Sequence, residues 1–86
     1  MILFSLNEIC KQSGLNERAV RVLIEREWLI PAHQNEFDAE DLARLNLICE
    51  LEKDFGANEA SIPIILHLID QLHYFRGKIH EIRDHF

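Results

Sequence analysis

From Ile65 onward, large apolar side chains recur every three or four residues: Ile65, Leu68, Leu72, Phe75, Ile79, Ile82 and Phe86. A strand needs apolar residues at every second position, so this spacing fits one helix carrying a coiled-coil seam. Pro63 is tolerated only in a first turn, which sets the start close to Ser61, with Asn58 or Ser61 as the cap. A helix from Ser61 to Phe86 is roughly 39 Å long at about 1.5 Å per residue. The 86-residue chain leaves only one small domain to cover it. Ile65 and Leu68 lie near enough to that domain to pack there, whereas the seam beyond Leu72 has no expected intramolecular cover. Gly77 costs about 1 kcal/mol relative to Ala, so a weakened or bent helix is expected there rather than an end. The expected cover is a second copy of the chain, giving a homodimer through Ile65, Leu68, Leu72, Phe75, Ile79 and Ile82. The competing arrangement breaks at Gly77 and folds Ile79 and Ile82 back onto the head.

The preceding residues read as a compact helical head over 1–57, with 58–86 as the dimerisation helix. Ser5-Leu6-Asn7-Glu8 has the form of a capping box, in which hydroxyl and carboxylate satisfy reciprocal backbone donors. Leu6, Ile9 and Cys10 then form one apolar face, and Gly14 is placed to end the helix in a left-handed conformation. Asn16 caps a second helix, in which Ala19, Val20, Leu23 and Ile24 repeat the same spacing. Two short helices joined by Gly14-Leu15-Asn16 predict a helix–turn–helix. In the stretch from Trp28 to Phe37, bulky residues flank a polar turn and Pro31 forbids helix. It predicts a small β-hairpin wing, with Ile30 and Phe37 facing the helices. Asp38-x-x-Asp41 opens a third helix whose buried stripe is Leu42, Leu45, Ile48, Leu51 or Glu52, and Phe55, and Gly56 stops it. The expected class is therefore mostly α: a winged helix–turn–helix head followed by a long C-terminal helix.

Charge limits the function. Fifteen acids against nine bases give a net charge of −6. Residues 1–56 hold eleven of those acids and six of the bases, and Glu36, Asp38, Glu40 and Asp41 are the densest acidic cluster. A nucleic-acid binder gains most of its affinity from Lys and Arg neutralising phosphates, and this head repels them. Arg18 and Arg21 lie on the second helix but share it with Glu17 and Glu25, and the turn offers His33, Gln34, Asn35 and Glu36 without a Lys or Arg. Specific DNA binding is not expected. Five histidines invite a metal reading. His73 and His80 stand two turns apart, however, with no Cys or His at the spacing that would complete a site, and no metal or cofactor is expected. Carboxylate pairs such as Glu25/Glu27 and Glu50/Asp54 lack a nucleophile or an anion-binding loop, so no enzyme is expected. Met1 to Phe4 is too short for a signal peptide, and Ile62–Leu72 is broken by His67, Asp70 and Gln71, so no membrane span is expected. Cys10 and Cys49 read as reduced thiols in a cytoplasmic protein.

Ser5 to Asn16, followed by Arg21-Val22-Leu23-Ile24-Glu25-Arg26-Glu27-Trp28-Leu29-Ile30-Pro31, resembles the head of MerR-type regulators. Those regulators usually follow the Arg with two aromatics, a Glu and a later Gly; here Val22, Leu23, Ile24 and Glu27 stand instead, so the DNA-binding form of the motif is eroded. Phe37-Asp38-Ala39-Glu40-Asp41-Leu42-Ala43-Arg44-Leu45, Gly56-Ala57-Asn58-Glu59-Ala60 and Ile65-Leu66-His67-Leu68-Ile69-Asp70-Gln71-Leu72 are similar to the chaperone-modulator family, CbpM. The likeness covers roughly residues 3 to 75. It implies binding to the J-domain of a DnaJ-like co-chaperone (CbpA type) and restraint of its stimulation of Hsp70. The J-domain presents a basic helix to Hsp70, so an acidic competitor makes physical sense. Glu17, Glu25, Glu36, Asp38, Glu40 and Asp41 are the expected acidic face. The alternative is a small MerR-like DNA-binding transcription regulator.

Overall fold

The computed structural model describes Ile2 to Asp84, without the side chain of Asp84. It contains four helices: α1 (Leu6–Ser13), α2 (Glu17–Glu25), α3 (Ala39–Asp54) and α4 (Ile62–Asp84). Two compact units form, Met1–Gly56 and Ala57–Phe86.

In the first unit, each helix starts where a short polar side chain offers an oxygen to orphan backbone donors. Ser5 Oγ accepts from Glu8 N while Glu8 Oε1 accepts from Ser5 N, both at 3.2 Å. Asn16 Oδ1 accepts from Ala19 N at 2.8 Å. Asp38 and Asp41 make the same reciprocal box at the start of α3. The core then collects Ile9, Val20, Leu23, Trp28, Leu29, Phe37, Leu45, Ile48 and Leu51. Leu42 is half-buried, but Phe55, expected in the same stripe, is 76% exposed. It is the C-cap residue of α3, where the backbone leaves helical geometry just before Gly56 turns left-handed. The helical period no longer fixes the side chain's direction there.

No β-hairpin wing forms among the described residues. Two isolated antiparallel bridges stand in its place, Phe4 with Phe37 and His33 with Glu36. The cause is a shortage of backbone donors. Beyond His33–Glu36, the next hydrogen-bonding pair of the ladder would be Pro31 with Asp38. Pro31 has no N–H, and Asp38 N already donates to Asp41 Oδ2 at 3.0 Å. Phe37 pairs with Phe4 instead, through Phe4 N to Phe37 O at 2.7 Å and Phe37 N to Phe4 O at 2.9 Å. Phe37 is buried as expected, whereas Ile30 is 70% exposed and does not face the helices.

The second unit opens with an Asn58–Ser61 turn. Asn58 Oδ1 accepts from Ala60 N and Ser61 N, and Asn58 N donates to Ser61 Oγ. α4 then runs through Gly77 without a break for 23 residues, about 34 Å, so the fold-back arrangement does not occur. Gly77 lies two residues from both Phe75 and Ile79 and therefore on the helix face opposite the seam. Ile62 and Leu66 are buried and Ile65 is half-buried. Leu68, Leu72, Phe75, Ile79 and Ile82 are each 50–58% exposed. Leu68, expected to pack, is thus exposed with the seam residues that follow it, while Ile65 is half-buried; Phe86 lies outside the described residues.

Glu27 adopts a left-handed conformation, φ 63°. Trp28 N donates to Leu23 O at 3.1 Å and Glu27 N to Ile24 O at 3.0 Å. This is the Schellman pair of bonds that closes a helix, with Glu27 where glycine usually stands. A Cβ in that conformation costs roughly 1–2 kcal/mol. Glu27→Gly is therefore expected to stabilise the chain by about 1 kcal/mol after the entropy of glycine is deducted. Urea midpoints measure this, and an unchanged or lower midpoint refutes the strain.

Candidate functional site

The exposed acids of the expected face, Glu17, Glu25, Glu36 and Glu40, fall on α2 and around the start of α3. On α2, Glu17, Arg21 and Glu25 stand four apart and form one ridge. Arg21 Nη2 lies 2.6 Å from Glu17 Oε1, with a second bond from Nε at 3.1 Å. The positive group is held within the ridge, and Glu25 stands exposed at its other end. Around the start of α3, Glu36 and Glu40 are exposed.

Asp38 and Asp41 belong to the same sequence cluster but do different work. Asp38 is half-buried and Asp41 is 8% exposed. Their carboxylates turn back onto backbone donors, Asp38 Oδ1 to Asp41 N at 2.8 Å and Asp41 Oδ2 to Asp38 N at 3.0 Å. Asp41's carboxyl is held above its ordinary value, first because burial strips its water and then because Asp38 and Glu40 are negative; the Asp38 N–H opposes the shift. These two residues position the surface that Glu36 and Glu40 present.

Half of the head's cations make contacts within it. Besides the Arg21–Glu17 pair, the Arg26 guanidinium lies 5.0 Å from the centre of the Trp28 ring. Arg44 Nε donates to the Trp28 carbonyl. Three of the six basic residues in 1–56 are thereby committed to internal contacts.

A concave site of about 610 Å³ lies between α2 and the 31–37 turn. Leu6, Ile24, Pro31, Ala32 and Phe37 give it an apolar lining, and Arg21, Glu25 and His33 a polar one. Of the expected acidic face, only Glu25 lines it. Sequence reasoning missed the site because Ile24 and Phe37 read simply as core and Ala32 as loop. The available signal was the small Ala32 between Pro31 and a polar turn, which leaves space where a larger residue would close it. Among the described residues, no three His, Cys, Asp or Glu side chains are grouped to hold a metal, and no helix is long and apolar enough to cross a membrane.

Residues 4–84 match the family model described as MerR HTH family regulatory protein, and the chain belongs to that family. No match was found among curated proteins or among solved structures.

The raised value of Asp41 has a consequence for stability. Because the folded chain holds this carboxyl above 3.8, ionising it works against the fold. The stability it contributes is full below 3.8 and is lost as the pH rises through the raised folded-state value. Asp41→Asn keeps an acceptor for Asp38 N and cannot ionise. Its stability relative to wild type is expected to improve as the pH is raised from below 3.8 towards neutrality. Urea midpoints of both proteins across that range measure it, and a flat difference contradicts it.

Proposed function

We propose that this member of the MerR HTH family acts on protein rather than on DNA. It binds the J-domain of a DnaJ-like co-chaperone (CbpA type) and restrains that co-chaperone's stimulation of Hsp70. The observation that carries this reading is the division of charge in the head. Eleven acids face six bases there; Arg21 is paired with Glu17, Arg26 and Arg44 are held against Trp28, and Glu25, Glu36 and Glu40 stand exposed. A surface of this kind attracts the basic helix that a J-domain presents to Hsp70 and repels phosphates. The resemblance to the chaperone-modulator family supplies the identity of the partner. A second reading, a small MerR-like DNA-binding transcription regulator, draws on the family's description as regulatory and on Arg18 and Arg21 along α2.

Stopped-flow association with a J-domain, run across salt concentrations beside a duplex DNA titration, decides between them. The J-domain is expected to bind, and reversing Glu36 and Glu40 together to Lys to slow association and flatten its salt dependence. Unchanged kinetics in that variant remove this face from the reading. Sub-micromolar, sequence-dependent DNA binding at near-physiological salt selects the regulator.

The chain works as a homodimer in this reading, through the seam of α4. Five seam side chains from Leu68 to Ile82 are at least half exposed. Burying each fully is worth about 1.5–3 kcal/mol as an upper estimate. A set of five from each copy is commensurate with an association cost of about 4–15 kcal/mol. Sedimentation equilibrium is expected to show a dimer at tens of micromolar, and Leu72→Asp with Phe75→Asp a folded monomer. Wild type that sediments as a monomer sinks the dimer.

A further inference from the structure

We infer that the groove between α2 and the 31–37 turn seats an apolar side chain from a basic amphipathic helix of the protein partner. The placement deepens the proposed J-domain reading and rests on it. At about 610 Å³ the groove is large enough for one or two bulky side chains. Leu6, Ile24, Pro31 and Phe37 supply its apolar wall. That wall is preorganised: Phe37 is 3% exposed, its backbone is bonded in both directions to Phe4, and the Asp38–Asp41 box follows it directly. Holding the receiving surface fixed before binding lowers the entropic cost of association.

Charge selects the occupant. Glu25 lines the groove and is exposed. Arg21, the Lys or Arg of the lining, is tied to Glu17 at 2.6 Å. Glu36 is exposed and follows Asn35, which also lines the site. An anionic occupant meets carboxylates at this rim. A helix with a Leu-like anchor and a Lys or Arg one turn away satisfies both the apolar wall and Glu25. The surface that faces DNA in a helix–turn–helix protein becomes, with this lining, a cleft for a helix.

Two probes test this: a J-domain, and a short synthetic helical peptide bearing Leu and Lys on one face. Ala32→Trp fills the groove from an exposed position, and Glu25→Lys reverses its rim on the exposed face of α2. Both should melt as wild type does. Each is expected to weaken J-domain binding at least about tenfold. The basic peptide is expected to shift the amide resonances of Ile24, Ala32 and Phe37, and a Leu/Glu peptide of the same length to leave them in place. If the J-domain binds wild type and both variants equally, the groove is not the seat, and the functional reading survives. If the J-domain fails to bind wild type while the basic peptide shifts those amides and Ala32→Trp abolishes the shift, the groove stands and the functional reading falls. If neither probe perturbs the groove, or the acidic peptide binds equally well, the inference is wrong.

Discussion

The reciprocal bonding of Asp38 and Asp41 holds much of the head in place. Four consecutive residues, from Asp38 to Asp41, start α3 by satisfying two of the backbone donors that a helix beginning leaves open. The same bonds take Asp38 N out of circulation for β pairing, so the chain from Trp28 to Phe37 closes as a turn and not as a two-stranded ribbon. Phe37, one residue upstream, is left to pair with Phe4. The N-terminal segment is thereby fastened beside the start of α3. Burying Asp41's carboxylate costs something in desolvation, and the Asp38 N–H offsets part of that cost.

Much of this was legible in the sequence because capping and helical periodicity are local. Ser5-x-x-Glu8, Asn16 and Asp38-x-x-Asp41 each declare a helix start, and Gly14 and Gly56 take the left-handed conformations expected after helices. The hairpin was not legible. Whether Ile30 and Phe37 flank a ribbon depends on where Asp38 N donates, and alternation of bulky and polar residues carries no record of that. The burial of Phe55 failed for a similar reason, since periodicity governs direction only while the backbone remains helical. The groove was hidden because Ile24, Pro31 and Phe37 are brought together by tertiary packing across thirteen residues of sequence. Glu27 carried a signal through its departure from the glycine of similar regulators, and only the left-handed turn gives that departure its physical meaning.

Electrostatics in the head follows from position as well as from composition. Arg26 and Arg44 both converge on Trp28, one over its ring and one on its carbonyl. They brace the residue that follows the α2 turn, and a guanidinium held this way has less freedom to reach an outside anion. Among the exposed carboxylates of the head, Glu8 closes the α1 box and Glu17 pairs with Arg21. The head keeps its excess of eleven acids over six bases, and these contacts restrict where its guanidinium groups can reach without removing their charge.

The described part of α4 past Ile69 contains no buried or half-buried side chain. Its backbone is kept helical there by local propensity, by a Lys78–Glu81 contact of 3.5 Å at the surface and by the Tyr74–Phe75 edge contact, each worth little in water. An isolated helical segment of this length frays, the more so with a glycine in it. Local contacts of this strength give the stretch little protection of its own. Amide hydrogen exchange in this stretch becomes a gauge of occupancy, fast in dilute solution and slow when the face is covered, while the amides over Leu45 and Ile48 report the fold of the head alone. One chain carries both a head fixed by buried side chains and a helical stretch whose described side chains are exposed.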